Sequence, residues 1–568
     1  MIEPSLQIGG GNWANKSDSL LGYHKDGANF YADELTFSRN SLGSYTDANG
    51  LIQSMPYNLL TYSEEFNNAA WTKSGATISA NSTTAPNGTT TADKFTEDTS
   101  LSAHSIRQDY STNAEVYTFS IYVKANGRNW VLLYNTTALY AKTFNLSTVQ
   151  VGTASVGTST AEINSIGDGW CRISITGTCT QAANAFRVYT LTSDTVSATY
   201  QGNGTDGVYI YGAQLNQGST ALPYFATTTR LNLARVDYKD NVNGSLLLEP
   251  QRTNLVTYSE QFDNAAWTKG NATITANATT SPDGTTNADN LSFFGGDLSK
   301  YISQTNTLNG TYSQSVYLKY NNQQWIQLFQ FGDGSFYANF DVQNGTLGSY
   351  TGCTPSISSI GNGWYRCNII FTSTTASQFV IWQINNGTSG RSTTSTPTGS
   401  VYAYGAQIEA SSYPTSYIKS EGAATTRLAD ACVTTGLSDV IGTEFTLFFD
   451  GYQSIERLYS RYVVLKGVGS TYANFISIET NPTNKVAVNV NGGSSVFTAI
   501  SQRTSGERLK MALRCKNNDF AFYINGVLIG SQASGSVPVT STLYLGSYTD
   551  YTDNYNIINQ MQIYDSAL

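Results

Sequence analysis

The chain has 568 residues, with 31 Lys and Arg set against 40 Asp and Glu and only 12% of residues charged. Its length implies several domains, and a net charge of −9 without a basic field excludes capture of nucleic acid by counterion release. Hydrophobic residues at 40%, with 38 Tyr, 24 Phe and 8 Trp, exclude a disordered chain, because disordered chains lack the aromatic and β-branched residues that build a core.

The opening tract MIEPSLQIGGGNWANK has neither a basic start nor an apolar run, so no Sec signal peptide is expected. No stretch reaches the ~18 apolar residues of a membrane helix, so no membrane insertion is expected. Residues 1–35 fall outside the pattern that follows and are expected to form a separate N-terminal segment. Residues 36–57 read as strand, polar turn with Asn-Gly, then strand, which is a hairpin signal, and 226–253 repeat that pattern as a second connector.

Each connector leads into a copy of one module, 58–225 and 254–420. NLLTYSEEFNNAAWTK at 58–73 and NLVTYSEQFDNAAWTK at 254–269 agree at 13 of 16 positions, an offset of 196 residues. The match continues through IYVKANGRNWVLL and VYLKYNNQQWIQL, INSIGDGWCRISI and ISSIGNGWYRCNI, and VYIYGAQL and VYAYGAQI. A unit this long is a whole domain, not a solenoid repeat. Its runs are short, alternate apolar with polar residues and are separated by Gly, Asn and Asp turns, which predicts antiparallel strands in a two-sheet jelly roll. One short helical turn is expected at SEEFNNAAW, with Ser63 as cap and Glu64 to Ala70 continuing. A linker at 421–436 leads to a third, different sandwich at 437–568, whose Asn525-Gly526 suits a type I′ hairpin turn. The fold class is therefore all-β, with tandem β-sandwich domains: two homologous jelly-roll modules and a C-terminal sandwich.

Chemistry is sparse. Cysteines at 171, 179, 353, 367, 432 and 515 match no zinc pattern, and Cys171 aligns with Tyr365 and Cys367 with Ile173, so free and mostly buried thiols are expected. The two histidines, His24 and His104, do not recur between copies, and no nucleophile, P-loop or metalloprotease motif is present. Glycoside hydrolysis needs only two carboxylates. Glu64, Asp93 and Asp168 have partners Glu260, Asp289 and Asn362, while Glu97 has none. An essential acid does not lose its charge in a duplicate, so turn or capping roles are expected. No Asp-rich loop supports Ca²⁺ near Glu64 or Glu260. No catalytic residue, cofactor or metal is expected.

Sugar binding stacks apolar sugar faces on aromatic rings and reads hydroxyls with amides. Trp71 and Trp267 lie in the most invariant block and read as core; Trp170 and Trp364 follow a Gly-(Asp/Asn)-Gly turn and read as core or sheet edge. Trp130 and Trp325 follow runs that differ between the copies, so they read either as core or as a stacking platform accompanied by Arg128, Tyr134, Gln323 and Gln327. Tyr548, Tyr551 and Tyr555 in YTDYTDNY form a further candidate, with a solvated loop as the alternative.

The block NLLTYSEEF…W resembles the opening of jelly-roll carbohydrate-binding modules. The whole repeat, closing on VYIYGAQL and a Thr-Thr-Arg exit, resembles modules of tailed-phage tail fibres and head fibres, and GGGNWANKSDSLLGY…FSRNSLGSYTDANGLI resembles the start of such proteins. The unit carrying FYINGVLIG, LYLG and QIYDSAL is similar to concanavalin A-like, laminin-G-type sandwiches. These resemblances imply a non-enzymatic virion protein of a bacteriophage. In it, residues 1–35 contact other virion proteins and the sandwiches bind host-surface glycan or decorate the particle; a homotrimer is implied by analogy. The rival readings are a glycan-degrading enzyme or its accessory chain, and a secreted bacterial adhesin. The missing catalytic constellation counts against the first, and the missing signal peptide against the second.

Overall fold

A computed structural model describes residues 4–9, 15–16, 19–26, 29–39, 41–55, 57–112, 114–229, 233–331, 336–374, 376–437, 440–453, 460–467, 474–481, 483, 485–492, 495–504, 506–546 and 556–568, with side chains of 10–34 and 376–377 outside that description. The chain is all-β, and no α-helix occurs among the described residues. It divides into two compact units, one of residues 40–42 and 56–232, the other of 1–39, 43–55 and 233–568.

The smaller unit holds the first module. Two six-stranded antiparallel sheets face each other. One runs Thr160–Gly167, Trp170–Thr178, Val116–Asn126, Gly207–Gln217, Ala92–Glu97, Ala76–Thr83; the other runs Gln150–Val156, Tyr140–Asn145, Trp130–Asn135, Ala182–Leu191, Ser105–Thr112, Thr72–Ser74. Alternation decides what fills the space between them: Val131 and Leu133 point into a core with Phe66, Trp71, Phe95 and Phe119, while Leu132 and Tyr134 point to the opposite face. The second module, in the larger unit, repeats the same strand order, from Ala272–Thr279 to Thr354–Gly361 and from Thr268–Gly270 to Thr346–Thr351. Both copies carry a β-bulge in the strand that closes the module, where Gly212 (φ 58°) and Ala213 face the single residue Ile121, and Gly405 (φ 61°) and Ala406 face the single residue Val316.

The expected helical turn is corrected. Tyr62 has φ 49°, and the backbone bonds Glu65 to Tyr62, Asn68 to Glu65 and Trp71 to Asn68 each span three residues, giving successive tight turns. Burial of Phe66 and Trp71 sets this path: Asp93 accepts the Phe66 N–H at 3.0 Å and the Trp71 indole donates to Tyr62 O at 2.9 Å. Ser63 binds Tyr224 and the Thr227 N–H instead of capping a helix.

The third sandwich departs from its expected boundaries. One sheet includes Ala431–Thr435 and Thr36–Ser38 beside strands from 461–546. In the other, Asn556–Tyr564 is flanked by Glu444–Gln453 and by Leu6–Gly9, and it also pairs with Ser245–Leu248 of the second connector. Leu6, Ile8, Phe37, Val236 and Leu246 are buried in this core. Residues 1–35 are therefore not wholly a separate appendage, because Leu6–Gly9 satisfies an otherwise open strand edge and buries two aliphatic side chains. The Asn525-Gly526 turn has φ 50° and 81°, as type I′ requires. None of the six cysteines is in a disulfide, and five are buried.

Candidate functional site

Trp130 and Trp325 begin equivalent strands on the outer face of the second sheet of each module, and both are half-buried. Their rings reach across the adjacent strand to glycines of the strand beyond it: a Cβ on Gly152 would stand 2.9 Å from Trp130, and one on Gly348 would stand 2.9 Å from Trp325. Packing onto bare backbone explains why an aromatic persists at this position while its neighbours change. Arg128 and Gln323 occupy equivalent places and tie long loops down. Arg128 grips buried Glu97, which also accepts from Tyr200 at 2.6 Å and from the Asn203 N–H at 2.9 Å. Burial opposes the charge on Glu97, but Arg128 and these donors outweigh it and hold its carboxyl below the ordinary range. Gln323 donates to Trp325 O and Ile384 O and accepts from Gln383 at 2.6 Å. Gln327 is fully buried, donating to Asn339 and Gly390 O and accepting from the Ser392 N–H. Tyr134 is half-buried, 6.5 Å from Tyr189. Tyr548, Tyr551 and Tyr555 lie outside the described residues.

The same outer face of the second module carries an aromatic group that the sequence reading passed over. Tyr301 stacks on Trp382 at 5.0 Å and 3°, Phe331 meets both edge-on, and Arg391 lies 4.7 Å above Phe329. The carboxylate pairs are structural. Asp93 and Asp289 each accept two backbone N–H groups, and Asp168 and Asn362 share a left-handed turn conformation (φ 50° and 53°) that either residue tolerates. Glu64 accepts from Tyr224, and Glu260 accepts from Tyr417 and pairs with Lys419 at 3.0 Å.

The larger unit contains a cleft of about 630 Å³, walled by Gly43–Met55, by the second connector hairpin and by the outer face of the second module. The hairpins join edge to edge. Thr46 N–H donates to Asp237 Oδ2 at 2.8 Å, and Tyr238 N–H donates to Thr46 O at 2.9 Å. Asp47 and Asn241 brace their turns by accepting the N–H groups of Asn49 and Asn243. Burial raises the carboxyl of Asp237, with the Thr46 and Lys239 N–H groups opposing the rise. On the far wall Arg366 lies 5.4 Å from the Tyr317 ring and donates to Ser315 and Thr415 O. Tyr45 and Tyr238 are half-buried at the rim, and Lys239, Asp240 and Ser356 are exposed.

Beneath the cleft lies an ion network with no side-chain exposure. Arg235 joins Glu249 and Asp430, Arg427 pairs with Glu249 at 3.0 Å, and Arg39 pairs with Asp430 at 3.1 Å. Arg235 also donates to Ser44 O at 2.9 Å and to Ser416 at 2.8 Å, so it fixes the first hairpin against the second module. The outcome is a preorganised cleft of aromatic rings, hydroxyls and amides, of a size that takes a small oligomeric ligand. No group of three or more His, Cys, Asp or Glu side chains is placed to hold a metal among the described residues. Single-sequence reading could not assemble this site, since its walls are separated by hundreds of residues.

No protein-family model matches the sequence, and no curated protein matches it. Among solved structures, the CBM40 of Ruminococcus gnavus IT-sialidase bound to α2,3-sialyllactose is 14% identical with a TM-score of 0.21, covering 23% of this chain and 80% of that one. The CBM22-1–CBM22-2 tandem of Paenibacillus barcinonensis Xyn10C is 13% identical with a TM-score of 0.24, covering 63% of this chain and 98% of that one. Trypanosoma rangeli sialidase is 11% identical with a TM-score of 0.21, covering 94% and 96%.

Proposed function

We propose that the chain is a non-enzymatic binding protein of a tailed-phage virion, a fibre or appendage on the particle surface that holds host-surface glycan in the cleft of its larger unit. The observation that carries the glycan reading is the cleft itself. Tyr45 and Tyr238 offer faces for sugar rings, and Asn49, Ser356, Ser358 and Asp240 offer polar groups for hydroxyls. The resemblance of the repeat to modules of phage fibres supports the virion reading, with a homotrimer by analogy.

A glycan array probed with the full chain tests binding, and Tyr45→Ala and Tyr238→Ala are expected to weaken the retained glycan about tenfold or more each, the scale of a lost aromatic anchor. Trp130→Ala and Trp325→Ala are expected to lower the melting temperature and leave that affinity in place. Release of reducing sugar by the wild type would establish an enzyme instead. A purified virion whose mass spectrum lacks the chain would end the particle reading.

A further inference from the structure

The first sheets of the two modules present the same aromatic outer face, and only one has a described occupant. In the second module Tyr317, Tyr404 and Tyr417 stand with ring centroids 5.4–6.1 Å apart, Arg366 lies 5.4 Å from Tyr317, and the Trp364 indole donates to Thr280 O at 3.2 Å. In the first module Tyr122, Tyr211 and Tyr224 stand 5.6–5.9 Å apart, Arg172 lies 5.4 Å from Tyr122, and Trp170 donates to Thr84 O at 3.2 Å. On the second module the hairpin Gly43–Met55 is seated. Ile52 packs on the aromatic group, Ile52 N–H donates to Pro282 O at 2.9 Å, and Leu51 stands 3.0 Å from where a Cβ on Gly284 would be. The equivalent positions of the first module are Pro86 and Gly88. No atom lies within 4 Å of a Cβ built on Gly88, and no donor to Pro86 O occurs among the described residues. Tyr122 and Tyr224 are half-buried, whereas Tyr317 and Tyr417 are buried.

The seated hairpin delivers an aliphatic pair directly after an Asn-Gly turn, Asn49-Gly50-Leu51-Ile52. The same arrangement occurs once more, at Asn525-Gly526-Val527-Leu528, where Val527 is 62% and Leu528 51% exposed on Val527–Gln532, the edge strand of its sheet. The turns differ, since Thr46 pairs with Ile52 across five residues and Ile524 with Val527 across two, and Leu51 ends its turn while Val527 and Leu528 both lie on the strand, but both present two consecutive aliphatic side chains where the chain leaves the turn. We propose that the aromatic face of the first module is a docking site for a second copy of this chain, and that the Asn525–Leu528 hairpin of that copy takes the place Leu51 and Ile52 take on the second module. Patch and seat are different surfaces, so the contact is heterologous, and the copies close into a ring or extend as a filament.

Sedimentation velocity of the full chain over a concentration series tests this. The wild type is expected to self-associate, and Val527→Asp with Leu528→Asp is expected to weaken association about tenfold or more, as is Gly88→Asn, which fills the seat with the non-glycine residue best suited to positive φ. Thermal unfolding checks that each variant is folded. Independently of either, a Pro86→Cys copy mixed with a differently tagged Val527→Cys copy is expected to give an intermolecular disulfide on oxidation that neither gives alone. A wild type that stays monomeric, association that survives both substitutions, or the absence of the mixed disulfide overturns the proposal.

Discussion

Arg39, Arg235, Arg427, Glu249 and Asp430 have no side-chain exposure, although charged residues are almost never fully buried unless paired. Arg39 and Arg235 stand 196 residues apart, the offset of the duplication, so their equivalence was legible in the sequence. Their burial was not, because composition and period place Arg at the surface. Burial by itself raises the carboxyl of Glu249, but Arg427, Arg235 and the donors of Ser416 outweigh it and hold it at about 2, below its ordinary 4.5. A carboxyl held low contributes stability that is complete above 4.5 and is lost as pH falls through about 2, and the gap corresponds to about 3 kcal/mol. Thermal unfolding followed from neutral pH downward is expected to show this loss below about pH 4.5. Glu249→Gln is expected to remove that part of the acid dependence and to cost about 3–5 kcal/mol at neutral pH, because it leaves buried guanidinium groups without their partner.

At the scale of elements, the all-β class followed from alternation and turn residues, and the duplication exposed that one module occurs twice, while the order of strands within the sheets was not legible. The turn chain at Tyr62–Trp71 was misread because Ser followed by Glu, Glu and Ala fits a helix start, while the tertiary pull on Phe66 and Trp71 is invisible locally. The bulge in VYAYGAQI was not read from the sequence, although a lone Gly within a strand pattern is its usual mark. Gly405→Ala is expected to cost about 1–3 kcal/mol, measured by chemical denaturation, since alanine would hold a left-handed conformation. Its Cβ would also lie 2.9 Å from the Tyr317 ring and 3.1 Å from Tyr417. The displaced Tyr317 ring lines the cleft, so weaker glycan binding is expected in the same variant.

At the scale of the molecule, the third sandwich is assembled from segments that sequence order keeps far apart. Leu6–Gly9 is four residues long and carries no strand signal strong enough to assign it a partner, and Ser245–Leu248 reads locally as one arm of a hairpin. Both find their place only because Asn556–Tyr564 offers an edge and a core to fill. Deleting residues 1–9 is expected to expose that edge and remove Leu6 and Ile8 from the core, lowering stability by about 2–5 kcal/mol for lost aliphatic burial. Differential scanning calorimetry of the truncated chain checks this. The cleft was illegible for the same reason, whereas the Trp130 and Trp325 positions were conspicuous because the duplication marks what is kept without saying whether packing or binding keeps it.

The pairing of Leu6–Gly9 with Asn556–Tyr564 sets a timetable for synthesis. At elongation speeds of about 5–20 residues per second, the first strand leaves the ribosome roughly half a minute to two minutes before its partner exists. Through that interval its aliphatic side chains and open amide row have no partner strand, and the sandwich cannot close until residues 556–564 have been made. A nascent chain stalled ahead of residue 556 would therefore be a prime client for chaperones, even with its first jelly roll already folded.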